Sequence, residues 1–166
     1  MKRPLITACV VSLLLACGAP VFAAEAAAGS LAKSAISQEP FFAGLVTEAG
    51  RLKAETEGFT PTPSLLTHPD FQTYAQAIRA LSAGDLQGHI TLKARGTDRD
   101  LKCILTGLSR DLPIKLTAIE AAKSDADMKT ALNNMASLLS DNIDVIMTPA
   151  TADSGLDCTV EFGPDA

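Results

Sequence analysis

Of 166 residues 47% are apolar, yet aromatics make up only 4% and tryptophan is absent. The core must therefore be aliphatic, which suits packed helices better than a β-sandwich built from aromatic and β-branched side chains. The formal charge of −5 and the lack of a basic stripe that could displace counterions argue against nucleic-acid binding.

The first segment reads as an export signal. Lys2 and Arg3 form a positive start, no charge follows from Leu5 to Ala16, and the stretch from Val10 to Leu15 is the apolar run. Gly18 and Pro20 then break any helix, and Val21-Phe22-Ala23 offers a cleavage site before Ala24. This order is that of a secretory signal peptide over residues 1–23. A transmembrane helix needs about 20 apolar residues, and Gly18 and Pro20 fall within the last part of this stretch, so no span is expected after cleavage. A second processing route competes. Leu14-Leu15-Ala16-Cys17 resembles the lipobox of bacterial lipoproteins, and that resemblance implies lipidation at Cys17 and an outer-membrane anchor. Both routes place the mature chain outside the cytoplasm, periplasmic or secreted. Loss of Lys2 and Arg3 takes the charge from −5 to −7.

Residues 24–36 are Ala-rich, a tether or frayed helix, and a single helical domain is expected over 37–166. Ser37 is positioned to cap a helix reaching about Thr56, with Pro40 in its first turn. Phe41, Phe42, Leu45, Val46, Ala49 and Leu52 recur at helical spacing and give it one apolar stripe. Gly58 and Thr60-Pro61-Thr62-Pro63 mark a turn. Thr67 with Asp70 resembles a capping box for a second helix carrying Phe71, Tyr74, Ala75, Ile78 and Leu81, which Gly84-Asp85 is expected to end. Over 88–94, Ile90, Leu92 and Ala94 alternate with Thr91 and Lys93 as a short strand would, with continued helix as the rival.

Thr97 or Asp98 can cap a third helix, and Asp111 with Pro113 can restart a fourth. Ser124 with Asp127 begins the last helix, which carries Met128, Ala131, Leu132, Met135, Leu138, Leu139, Ile143 and Ile146 until Thr148-Pro149 stops it. Short links make neighbouring helices antiparallel. Leu156, Cys158, Val160 and Phe162 then alternate with polar residues as a half-buried strand. The fold class expected is mainly α: an antiparallel bundle of four to five helices with a small two-stranded β ribbon, 156–162 paired with 88–94.

Two of the four cysteines lie in the signal. Cys103 and Cys158 remain, and in an oxidising compartment they are expected to form one disulfide. The loop it closes corresponds to ~4 kcal/mol of lost chain entropy in the unfolded state.

No phosphate-binding, zinc-protease, haem-attachment or serine-hydrolase motif occurs. His68 and His89 are the two histidines; His68 stands before a proline at a helix start and His89 borders the ambiguous strand, and neither has an evident partner. The distribution of charge is more informative. From Ser124 onward eight acids face one base, Lys129, whereas the rest of the mature chain balances. The function expected is that of a non-enzymatic exported protein that binds a protein partner, inhibitor or immunity protein being one instance. Asp125, Asp127, Asp141 and Asp144 form the candidate acidic surface, and no metal or cofactor is expected. Two alternatives stand beside it. A haem- or metal-binding bundle would use Met128 or Met135 with a histidine. A small hydrolase would use His68 or His89.

Overall fold

The computed structural model describes residues 35–96, 100–149 and Cys158. The signal at 1–23 with Cys17, the tether up to residue 34, the caps at Thr97 and Asp98, and the 156–162 segment apart from Cys158 lie outside the described residues.

Four α-helices follow one another: α1 Pro40–Gly58, α2 Pro69–Arg95, α3 Leu101–Glu120 and α4 Asp125–Met147, with 3₁₀ turns at Ile36–Gln38 and Pro63–Thr67. Each packs on the next, and α4 closes the ring against α1. The cross-helix pairs fix direction. Leu45 of α1 approaches Gly84 of α2, Phe42 approaches Gly88, and Thr56 meets Tyr74. Arg79 and Ser82 of α2 bond to Glu120 and Ser109 of α3. Residue numbers rise on one helix as they fall on its neighbour, so the packing is antiparallel, as the short connections require.

The helix starts follow local chemistry. Pro40 and Pro69 occupy first-turn positions, where a missing N–H costs nothing. Ser37 is not the cap of α1: it is buried in the preceding 3₁₀ turn, and Glu39 holds the cap position. Nor does Thr67 cap α2. Its hydroxyl donates to the Ser64 carbonyl, and the His68 ring takes the role by accepting the Asp70 N–H at 3.3 Å. Ser124 caps α4 as expected, accepting the Asp127 N–H at 3.1 Å and donating to the Asp127 carboxylate at 2.6 Å.

Two corrections concern α2 and α3, and both have tertiary causes. Gly84-Asp85 does not end α2, which runs unbroken from Pro69 to Arg95, 27 residues in all and about 40 Å long. Each interior glycine costs about 1 kcal/mol of helix propensity, yet a Cβ at Gly88 would stand 3.1 Å from Leu105 and 3.3 Å from Phe42. The bare backbone there lets α1 and α3 approach. The expected strand at 88–94 is therefore helical, and its alternation was misleading: Leu92 is buried while Ile90 is half exposed. Gly96, with φ of 64°, ends the helix. The β ribbon falls with it, since no strand occurs among the described residues and Cys158 itself has helical backbone.

Pro113 does not restart a helix either; it lies inside α3. A proline there removes the N–H that would bond the carbonyl four residues back, which is that of Ser109. The Ser82 hydroxyl of α2 donates to this carbonyl at 2.6 Å, so the freed acceptor is satisfied from the neighbouring helix. Ser82→Ala is expected to lower stability by about 1–2 kcal/mol, read as a lower denaturant midpoint at unchanged slope.

The core is aliphatic along most of its length, with Leu52, Ile78, Leu105, Leu112, Leu116 and Leu139 almost fully buried. Three of the aromatics gather at one end, while Phe41 and Phe42 pack together near Gly88. Phe59, Phe71 and Tyr74 pack with ring centres 5.0–6.4 Å apart, and burial pushes the Tyr74 hydroxyl up to about 12. That hydroxyl donates to Thr56, whose own proton goes to the Leu52 carbonyl. At the opposite end Arg95, in the last turn of α2, forms a two-pronged pair with Glu39 at 2.8 Å. Cys103 and Cys158 are joined, with Cα atoms 5.1 Å apart, and both are buried.

Candidate functional site

The four acids singled out in the sequence do not form one cluster. All are exposed on α4, but Asp125 and Asp127 lie in its first turn and Asp141 and Asp144 in its last two. Thirteen residues of helix separate the two pairs, about 21 Å from Asp127 to Asp141. The first pair has a structural explanation: acids in a first turn complement the positive end of the helix dipole, and Asp127 completes the Ser124 cap. The second pair has none of this kind. An acid in the last turn opposes the dipole by about 0.3–1 kcal/mol, and α4 has no base there to offset it.

Asp144 continues a polar stripe made by Asn133, Ser137 and Ser140, which share one helical face. Those three line a shallow groove of about 330 Å³ whose other wall is Lys53 and Glu57 of α1. The α1 side is knitted by ion pairs at i, i+3 and i, i+4: Arg51 with Glu48 and Glu55, and Lys53 with Glu57. The Arg51 guanidinium, donating to Glu48, holds that carboxylate below its ordinary range.

The histidines are separated as well. His68 lines an open cleft of about 270 Å³ with Thr60, Thr62, Ser64 and Asp70. This composition has the ingredients of a hydrolase, and the Asp70 carboxylate lies 3.4 Å from His68 Nδ1. The His68 Nδ1 atom accepts the Asp70 N–H, whereas a catalytic base oriented by a carboxylate would donate from that atom. The Ser64 hydroxyl is paired with Thr62 at 2.6 Å. His89 is buried on α2, and its Nδ1 lies 2.6 Å from the Lys102 carbonyl, so that nitrogen carries the hydrogen.

Met128 and Met135 are fully buried on α4. Helices α2 and α4 are both antiparallel to α3 and so run parallel, with a bond between Asp85 and Asn142 setting their register. His89 lies one turn to one side of that level and Met135 two turns to the other, so neither methionine faces it across the core. Among the described residues no group of three or more His, Cys, Asp or Glu is arranged to hold a metal ion. No described helix is long and apolar enough to cross a membrane.

The polar feature that the sequence reading missed lies in the bundle interior. Asp85 of α2 and Asn142 of α4 are fully buried, and the Asn142 amide donates to Asp85 Oδ2 at 2.6 Å. Burial pushes the Asp85 carboxyl up to about 7, against the opposing effect of that hydrogen bond. Thr106 of α3 is also fully buried. Ser82 pairs with Ser109 and His89 with Lys102, which places Thr106 opposite Asp85. Comparison with protein families, curated proteins and solved structures finds no match.

Proposed function

We propose that this protein is an exported, non-enzymatic binding protein whose partner is a basic protein surface engaged by α4 around Asp141 and Asp144. The supporting observation is the placement of exposed Asp144 in the last turn of α4, where the dipole disfavours an acid and no base offsets it, with exposed Asp141 one turn before it. Asp144 costs stability at that position, and a role in binding accounts for it. The Asn133–Ser137–Ser140 groove extends the same face with hydrogen-bonding groups and no large apolar residue. Such a surface suits charge-steered encounter more than hydrophobic burial. The disulfide is in keeping with export, either as a chain starting near Ala24 or as a lipoprotein anchored at Cys17.

The test is affinity capture from the extracytoplasmic fraction, using the disulfide-bonded protein as bait and a D141N/D144N variant beside it. A basic protein should be retained at low salt, released as ionic strength screens the contact, and lost with the variant. The variant itself should be as stable as the parent or a few tenths of a kcal/mol more stable. Capture that is indifferent to both salt and the two substitutions contradicts the reading.

A further inference from the structure

The interior layer formed by Asp85, Thr106 and Asn142 contains three fully buried oxygens without hydrogen-bond partners: Asp85 Oδ1, Thr106 Oγ1 and Asn142 Oδ1. Unpartnered buried polar atoms are rare in native proteins and each needs a physical explanation; the Thr106 hydroxyl, able to donate or accept, has neither other oxygen within hydrogen-bond reach. Two of these three belong to the directly bonded pair, in which Asn142 Nδ2 already donates to Asp85 Oδ2. With Asp85 ionised, the free oxygens of the carboxylate and of the amide are both acceptors, and the pair contains no donor between them. With Asp85 protonated, the acid matches the amide: each can donate to the other, as Asn142 already does.

The neighbours supply no other charge to settle the carboxylate. From α1 the level is met by Leu45 and Ala49, both buried and apolar. From α3 it is met by Thr106, and from α4 by Asn142. On α2 itself the nearest titratable group is His89, one turn on, whose Nδ1 hydrogen is directed to the Lys102 carbonyl. A carboxylate desolvated to this extent and given a single amide donor is held more easily neutral than charged.

We infer that Asp85 and Asn142 form a proton-operated lock, in which a proton bound between α2 and α4 holds the bundle closed and its loss loosens it. The sign follows from linkage. Because the folded carboxyl binds its proton more tightly than the unfolded one, the stabilisation is complete below about pH 4 and declines as pH rises towards about 7. Above that it is gone. Between those limits the opening constant rises about tenfold per pH unit.

The experiment compares the full disulfide-bonded chain with Asp85→Asn, which is close in shape to the neutral acid and keeps a donor at every pH. Stability is followed by chemical unfolding from about pH 5 to pH 8. The lock predicts that the ratio of the two opening constants grows about tenfold per unit up to about pH 7 and then levels off, leaving D85N the more stable protein at pH 8. Parallel profiles for the two proteins overturn it. Carbon-13 NMR of aspartate-labelled wild type gives a readout that does not depend on the variant folding. One carboxyl should remain protonated at about pH 5 in the native state and titrate near neutrality, and a native spectrum with no such group also overturns the inference.

Discussion

Asn142→Leu is expected to lower the stability of the bundle by about 3 kcal/mol at neutral pH, one of the two largest effects anticipated here. The substitution removes the one donor that reaches Asp85 and leaves a fully desolvated carboxyl group with nothing to offset its burial. The cost is smaller at about pH 5, where the acid is neutral and less expensive to leave unpaired. An Asp85→Leu/Asn142→Leu double variant tests the cause. If the loss reflects an orphaned polar group, removing both partners restores most of it, because an apolar pair of similar volume is nearly neutral in such a position. Urea midpoints for the two single variants and the double variant give the coupling directly. Equal and additive losses would assign the effect to packing instead.

The second large effect concerns the Cys103–Cys158 bond, which joins residues 55 apart in sequence. Reduction, or replacement of both cysteines by serine, is expected to lower stability by about 4 kcal/mol, chiefly by freeing the unfolded chain. That origin has a signature. The denaturant slope should rise, because an uncrosslinked unfolded state exposes more surface, while the far-UV spectrum of the native helices stays unchanged. Loss of helical signal under native conditions would show that the bond organises the folded state as well.

Much of the fold can be read from local sequence. The apolar stripes of α1, α3 and α4 give one-sided helices, and Ser124 with Asp127 marks the start of α4 because both halves of that cap lie within four residues. The misplaced boundaries inside α2 and α3 have a common cause. Gly84 and Asp85 look like a helix end, and Pro113 looks like a helix start, because each violates a local rule whose compensation lies on another helix. Phe42 and Leu105 crowd the glycine face of α2, Asn142 bonds Asp85, and Ser82 supplies the hydrogen bond that Pro113 withholds from Ser109. None of these partners is a sequence neighbour. With a helix end at Gly84-Asp85, the 88–94 stretch stands apart from α2, and its alternation then reads as a strand.

The same break concealed the interior layer. Asp85 and His89 are one turn apart, on the stripe that carries Ile78, Leu81 and Leu92, and they stand out as polar residues on an apolar face only when the helix is continuous. Asn142 was legible in principle: it falls between Leu138, Leu139 and Ile146 on the buried face of α4. The acidic surface was half legible. Exposure of all four aspartates follows from helical spacing, but the division into a capping pair and a pair that opposes the dipole depends on where α4 begins and ends.

Both the disulfide and the encounter with a basic partner presuppose that the protein works outside the cytoplasm. The most direct test is intact mass spectrometry, without reduction, of the protein recovered from its own cells. The expected mass is that of a chain that has lost its first 23 residues and two hydrogens at Cys103 and Cys158, or of a lipid-bearing chain that begins at Cys17 with the same bond. A protein that retains Lys2 and Arg3 and carries free thiols at 103 and 158 would contradict it.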